Sequence, residues 1–148
     1  MNSRVFKFFF NLWPCYFGTG GKVVYFSPDY KQAQIRIPLN LRTRNYVGTI
    51  FGGSIYGAID PIFMLMFMKI LGKGFIVWDK SAAIRFLKPG KESIYANFSI
   101  SDSEIEDIKS QAQSGKSFTR TYTVQLLTKA GELIAEADKE IYFKQKIV

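Results

Sequence analysis

The chain has no histidine, and a single cysteine, Cys15. Without an imidazole, a Ser-His-Asp triad and the histidine-dependent hydratase chemistry are excluded, and zinc or non-haem iron is left with almost no ligands. One cysteine cannot close an intramolecular disulfide, so a reducing, cytoplasmic setting and a metal-free, cofactor-free mechanism are the expectations. Acidic residues are few, 12 against 20 lysines and arginines, for a net charge of +8. That balance favours an anionic partner. The basic residues are nevertheless scattered, and no helix-turn-helix, ribonucleoprotein or zinc-knuckle pattern accompanies them, so nucleic acid is not the expected partner. There is also no uninterrupted membrane span. The most apolar stretch, Ile50 to Leu71, carries Asp60 at its centre, where a charge costs roughly 2.5 to 3.5 kcal/mol on insertion scales. Gly52, Gly53, Gly57 and Pro61 weaken it further, so a core helix is expected there. The opening MNSRVFKFFFNLWPCYF is broken by Lys7 and Asn11 and shows no cleavage signal; it reads as an amphipathic helix ended by Trp13-Pro14.

Greasy surface, in contrast, is abundant. Hydrophobic residues make up 47% of the 148 positions and aromatics 16%, which suits one folded domain over residues 1–148 and not a disordered chain. Two short strands are expected in GGKVVYFSPDY and QAQIRIPLN, turning around Ser27-Pro28-Asp29, because Ala33, Ile35 and Ile37 alternate with polar neighbours. A long helix from about Gly52 to Leu71 then stops at Gly72-Lys73-Gly74. One or two strands in FIVWDKSAAIRFLKPG, another in ESIYANFSIS, a short acidic helix near Asp102 to Gln113, and a final hairpin around Ala130-Gly131 complete the order. A helix apolar nearly all round needs covering, and an antiparallel sheet wrapped around it is the simplest α+β solution.

The segment NYVGTIFGGSIYGAID, residues 45–60, carries the chemistry. Glycines at a helix start let a ligand approach free backbone N–H groups, whose dipole favours a negatively charged oxygen. Asp60 follows Gly53 by seven residues, two helical turns, on roughly the same side. A carboxylate buried there has its pKa pushed upward and suits a general base or nucleophile. A purely structural alternative stands beside this one: the segment is then two helical pieces, with Asp60-Pro61 an N-cap followed by proline at the first helical position, and the glycines serve close packing.

The spacing N-x-x-G-T-x-x-G-G, with an aspartate seven residues on, resembles the hotdog-fold acyl-CoA thioesterases of the phenylacetate-degradation type. GTIFGG, VWDKSAAIRFLKPG and FNLWP look closer still to an uncharacterised hotdog subfamily regarded as thioesterases. The resemblance implies a hotdog fold with an additional N-terminal helix, a homodimer that can pair into a tetramer, and hydrolysis of an acyl-CoA. Asn45, Thr49, Gly52, Gly53 and Asp60 match the family's site positions. Phe51 departs from them, standing where relatives carry a histidine beside the thioester carbonyl, and losing one such donor costs on the order of a hundred- to a thousandfold in rate. Asp79 falls about where relatives carry Ser or Thr. Strict alternation puts Asp79, Ser81, Ala83 and Arg85 on one face, and in hotdog dimers this strand nears the partner's helix, so Asp79 or Ser81 is expected to assist Asp60 across the interface. Arg85 and Lys88 are candidates for the phosphates of coenzyme A. The alternative is a non-catalytic acyl-CoA or lipid binder.

Overall fold

The computed structural model describes residues 2–147. Helix α1, Ser3–Leu12, opens on the Asn2 side chain, which accepts from the Arg4 amide, and stops at Trp13 because Pro14 begins a second helix, α2, Pro14–Thr19. That second helix was not expected. Strands β1, Lys22–Phe26, and β2, Gln32–Ile37, follow as foreseen. The expected long helix is present as two pieces, α3, Gly52–Ile59, and α4, Ile62–Leu71, because Pro61 brings no amide to continue the ladder. Then come β3, Phe75–Phe86, as one strand, β4, Ile94–Ser99, helix α5, Asp102–Ala112, and the long hairpin β5, Phe118–Thr128, and β6, Leu133–Gln145.

All six strands lie in one sheet of order β1-β2-β4-β5-β6-β3, and every neighbouring pair is antiparallel. The α3–α4 segment, long and apolar enough by composition to cross a membrane, packs on one face of this sheet. Ile55, Ala58, Ile59, Ile62, Phe63, Met66 and Phe67 are buried there, and the Phe63, Phe67, Phe98, Tyr122 and Phe143 rings meet at centroid distances of 4.9 to 5.1 Å. This is the α+β, helix-in-sheet arrangement expected from the sequence.

Two close approaches lock the N-terminal region onto that helix. A Cβ at Gly21 would stand 2.4 Å from the Ala58 Cβ, so glycine is what lets the start of β1 press against α3. Tyr16 donates from its hydroxyl to the Ala58 carbonyl at 3.1 Å, just before the helix breaks. On the sheet's β1 edge, the Asn11 side chain accepts from the Val23 amide and donates to its carbonyl, both at 2.8 Å, so α1 takes the place of a missing strand partner.

The opposite edge, β3, contains a bulge between Asp79 and Ser81 that corrects the alternation expected from the sequence. Asp79 pairs with Ile141 on the inner face, but Ser81 pairs with Glu140 on the outer face. The extra residue, Lys80, moves every following side chain to the other side. Ser81 and Arg85 therefore point away from the helix.

Candidate functional site

The loop entering α3 is held from three sides. Thr43, fully buried, donates to the Pro38 carbonyl, and its own carbonyl accepts from the Phe51 amide at 2.7 Å. The Ile50 amide donates to the Gly90 carbonyl at 2.9 Å. Within the loop, Asn45 accepts from the Thr49 amide at 2.9 Å and donates to its hydroxyl at 3.0 Å, closing a turn in which Gly48 has a φ of 86°. Asn45 and Thr49 thus satisfy one another and shape the approach to the helix.

At the helix start, the Ser54 and Ile55 amides both bond the Phe51 carbonyl, while the Gly52 and Gly53 amides have no partner among the described residues. Aromatic rings roof both glycines. A Cβ at Gly53 would lie 2.3 Å from the Phe51 ring, and one at Gly52 would lie 3.0 Å from the Phe86 ring. The two free amides sit at the positive end of the helix with apolar walls beside them.

Two turns on, Asp60 does not cap α4: the cap position is Pro61, without a side-chain bond. Its carboxylate instead accepts at Oδ1 from the Tyr56 hydroxyl at 2.8 Å and from the Lys139 ammonium. Both contacts land on one oxygen. Oδ2 is left open, and the side chain is 41% exposed. The deep burial expected of Asp60 is therefore corrected. Its place at the helix break, with Pro61 following, leaves it at the edge of the packed face.

Lys139 is the residue that reading the sequence missed. Its side chain is 1% exposed, on the inner face of β6, between Asp60 and Asp79. Asp79 Oδ1 lies buried 3.1 Å from its Nζ as the second carboxylate of the ion pair. A signal existed: alternation along β6 places Ala135, Ala137, Lys139, Ile141 and Phe143 in one apolar row, where a lysine is out of place. Burial works against the ammonium charge, but the Asp60 bond and the Asp79 charge outweigh it and hold the Lys139 pKa above its usual range. Desolvation raises the Asp79 carboxyl, the Lys139 charge opposes this, and Asp60 adds a smaller push upward. The Tyr56 hydroxyl is raised too, by burial first and by its bond to Asp60 second.

The remaining expected residues lie elsewhere. Ser81 donates to Glu140 on the outer face, Arg85 is clamped by Glu136 at 2.6 Å and Asp138 at 2.9 Å, and Lys88 pairs with Glu132 at 2.8 Å. The structure does not bring these three to Asp60. Among the described residues no group of three or more acidic or cysteine side chains is placed to hold a metal ion.

A family model described as a domain of unknown function (DUF4442) matches residues 2–143. The chain belongs to this DUF4442 family. No curated protein matches it by sequence. Among solved structures, it is similar to a protein of unknown function from Pseudomonas aeruginosa described as a probable thioesterase, with a TM-score of 0.88, 16% identity, and coverage of 99% of this chain and 97% of that one. A Chlorobaculum tepidum protein of unknown function has a TM-score of 0.77 at 13% identity, covering 97% and 94%. A thioesterase from Haemophilus influenzae has 0.70 at 12% identity, covering 98% and 92%. At such identities the likeness is one of fold, and the fold of this DUF4442 chain is the hotdog arrangement.

Proposed function

We propose that the protein is a thioester hydrolase acting on an acyl-CoA, with Asp60 as general base or nucleophile. The observation that carries this reading is the Asp60 carboxylate itself. Tyr56 and Lys139 fix it through Oδ1, while Oδ2 has no partner among the described residues and the side chain is 41% exposed, which leaves that oxygen to take a proton from water or to attack a carbonyl carbon. The unpaired Gly52 and Gly53 amides at the start of the same helix suit the oxyanion of a tetrahedral intermediate. Fold neighbours described as thioesterases support the same class.

The geometry favours a site shared between two copies. Seven residues of helix separate Gly53 from Asp60 by about 10 Å along the axis, and amides at a helix start point away from it, so the oxygen they hold lies farther still. One carbonyl cannot reach both groups of a single chain. In a homodimer, the amide of one protomer meets the carboxylate of the other. The open edge of β3, twelve residues long with Trp78 exposed, suits pairing with a second copy. In this reading Asp79 acts through Lys139 within its own chain, and Asn45 shapes the entrance to the helix.

Phe51 favours a second reading. Its ring lies against Gly53, where a polar side chain would assist the carbonyl, and a site so roofed suits an acyl binder without turnover. Purified protein incubated with acyl-CoAs from short to long chain, with free thiol followed, tests both. The hydrolase reading expects thiol release that fails in Asp60→Asn. Thermal stabilisation by a long acyl-CoA without release replaces it with the binder.

A further inference from the structure

The N-terminal region carries an apolar surface that the hydrolase reading does not use. Helix α1 is apolar on two sides. Phe6 and Phe10 turn inward, where Phe6 meets Phe26 and Tyr30 and the Phe10 ring lies tilted against Tyr16. Val5, Phe8, Phe9 and Leu12, spaced i, i+3, i+4 and i+7, turn outward and are exposed, and Trp13 and Phe17 extend their stripe. Phe8 is 60% exposed and Trp13 64%. A contiguous stripe of this size on a folded protein marks a contact surface.

Charge identifies what contacts it. Residues 1–59 hold seven lysines and arginines and one acid, Asp29, while the remaining 89 positions hold 13 and 11, so the excess positive charge is concentrated in this part of the chain. Arg4, Lys7, Lys22 and Arg42 border the stripe, and none of them has a carboxylate partner among the described residues. Lys7 reaches the Val24 carbonyl at 3.0 Å and the Arg42 guanidinium lies 3.9 Å from the centre of the Phe17 ring. Beside α1, a cleft of about 690 Å³ is lined by Lys7, Lys22 and Arg42 together with Phe8, Leu12 and Phe17. Aromatic side chains next to uncompensated cations match the chemistry of one surface in particular, the boundary between anionic headgroups and acyl chains.

We propose that this face docks on an anionic phospholipid bilayer. Phe8, Phe9, Leu12 and Trp13 enter the headgroup boundary, and the four cations sit at the level of the phosphates. Docking is independent of the catalytic reading, because it places no residue of α1 in the reaction.

The test is flotation of the 148-residue chain with vesicles of phosphatidylcholine alone or mixed with phosphatidylglycerol. The protein has two tryptophans, so a Trp78→Phe background leaves Trp13 as the sole reporter of membrane entry. Expected are flotation with the anionic vesicles only, release by salt, a blue shift of Trp13 emission, and binding about tenfold or more weaker in a Phe8→Ser, Phe9→Ser variant whose circular dichroism is unchanged. Lys7→Glu with Lys22→Glu weakens binding while leaving the apolar stripe in place. Failure to float with anionic vesicles overturns the proposal, as does binding unchanged by Phe8→Ser and Phe9→Ser. So does a drop in oligomeric size in that variant, which assigns the face to a second copy, or retention by DNA that the same variant loses.

Discussion

Two cations on the same two strands each sit between a pair of carboxylates, one on each face of the sheet. Outside, Arg85 bridges Glu136 and Asp138 at 43% exposure. Inside, Lys139 bridges Asp60 and Asp79 at 1% exposure. The outer group shares its charges with water, so its geometry is good and its contribution small. The inner group has no such reserve, and removing one member leaves another charge buried without compensation. Similar pairing therefore lies open to water on one face and holds two carboxylates around a buried cation on the other.

The largest expected effect is on turnover. Asp60→Asn keeps the Oδ1 contacts but removes the carboxylate proposed as base or nucleophile, and hydrolysis is expected to fall about a hundred- to ten-thousandfold in a thiol-release assay. Next comes stability. Lys139→Met lowers the unfolding free energy by about 3 kcal/mol in denaturant titration, and adding Asp79→Asn recovers most of it, because the carboxylate left uncompensated is gone. Arg85→Ala leaves the unfolding midpoint unchanged by the same measurement, which completes the comparison between the faces.

A pH titration of stability sharpens the contrast. The folded-state pKa of Lys139 is raised above 10.5, so its contribution is complete below that value and is lost as pH rises through the folded pKa. Tyr56, raised from 10.0, acts in the same direction. Asp79 is raised from 3.8, so its contribution is complete below 3.8 and declines as pH rises through its folded pKa. The expected profile is an alkaline loss of stability that shrinks in Lys139→Met and shrinks separately in Tyr56→Phe. Arg85→Ala is expected to keep it.

The same contrast shows what the sequence made legible. Patterns of period two and 3.6 are enough to find the strands and the long helix, and the Gly-Gly and Asp60 spacing points to one helix carrying both. The bulge at Lys80 was not legible, because one inserted residue in WDKSAAIRF leaves the composition unchanged while reversing the face of Ser81 and Arg85. Helix α2 was missed because Pro14 reads equally well as the end of one helix and the start of another. Lys139 was legible in principle as a cation in an apolar row, but its partners lie 79 and 60 positions earlier, and only folding brings them together.

The most direct test is free-thiol release from a series of acyl-CoAs by wild type and by Asp60→Asn, with both melting temperatures measured. The account predicts turnover by wild type and a loss of at least about a hundredfold in a variant that melts cooperatively as a folded protein. Equal rates in the two proteins, or no release from any acyl-CoA by the wild type, would contradict it.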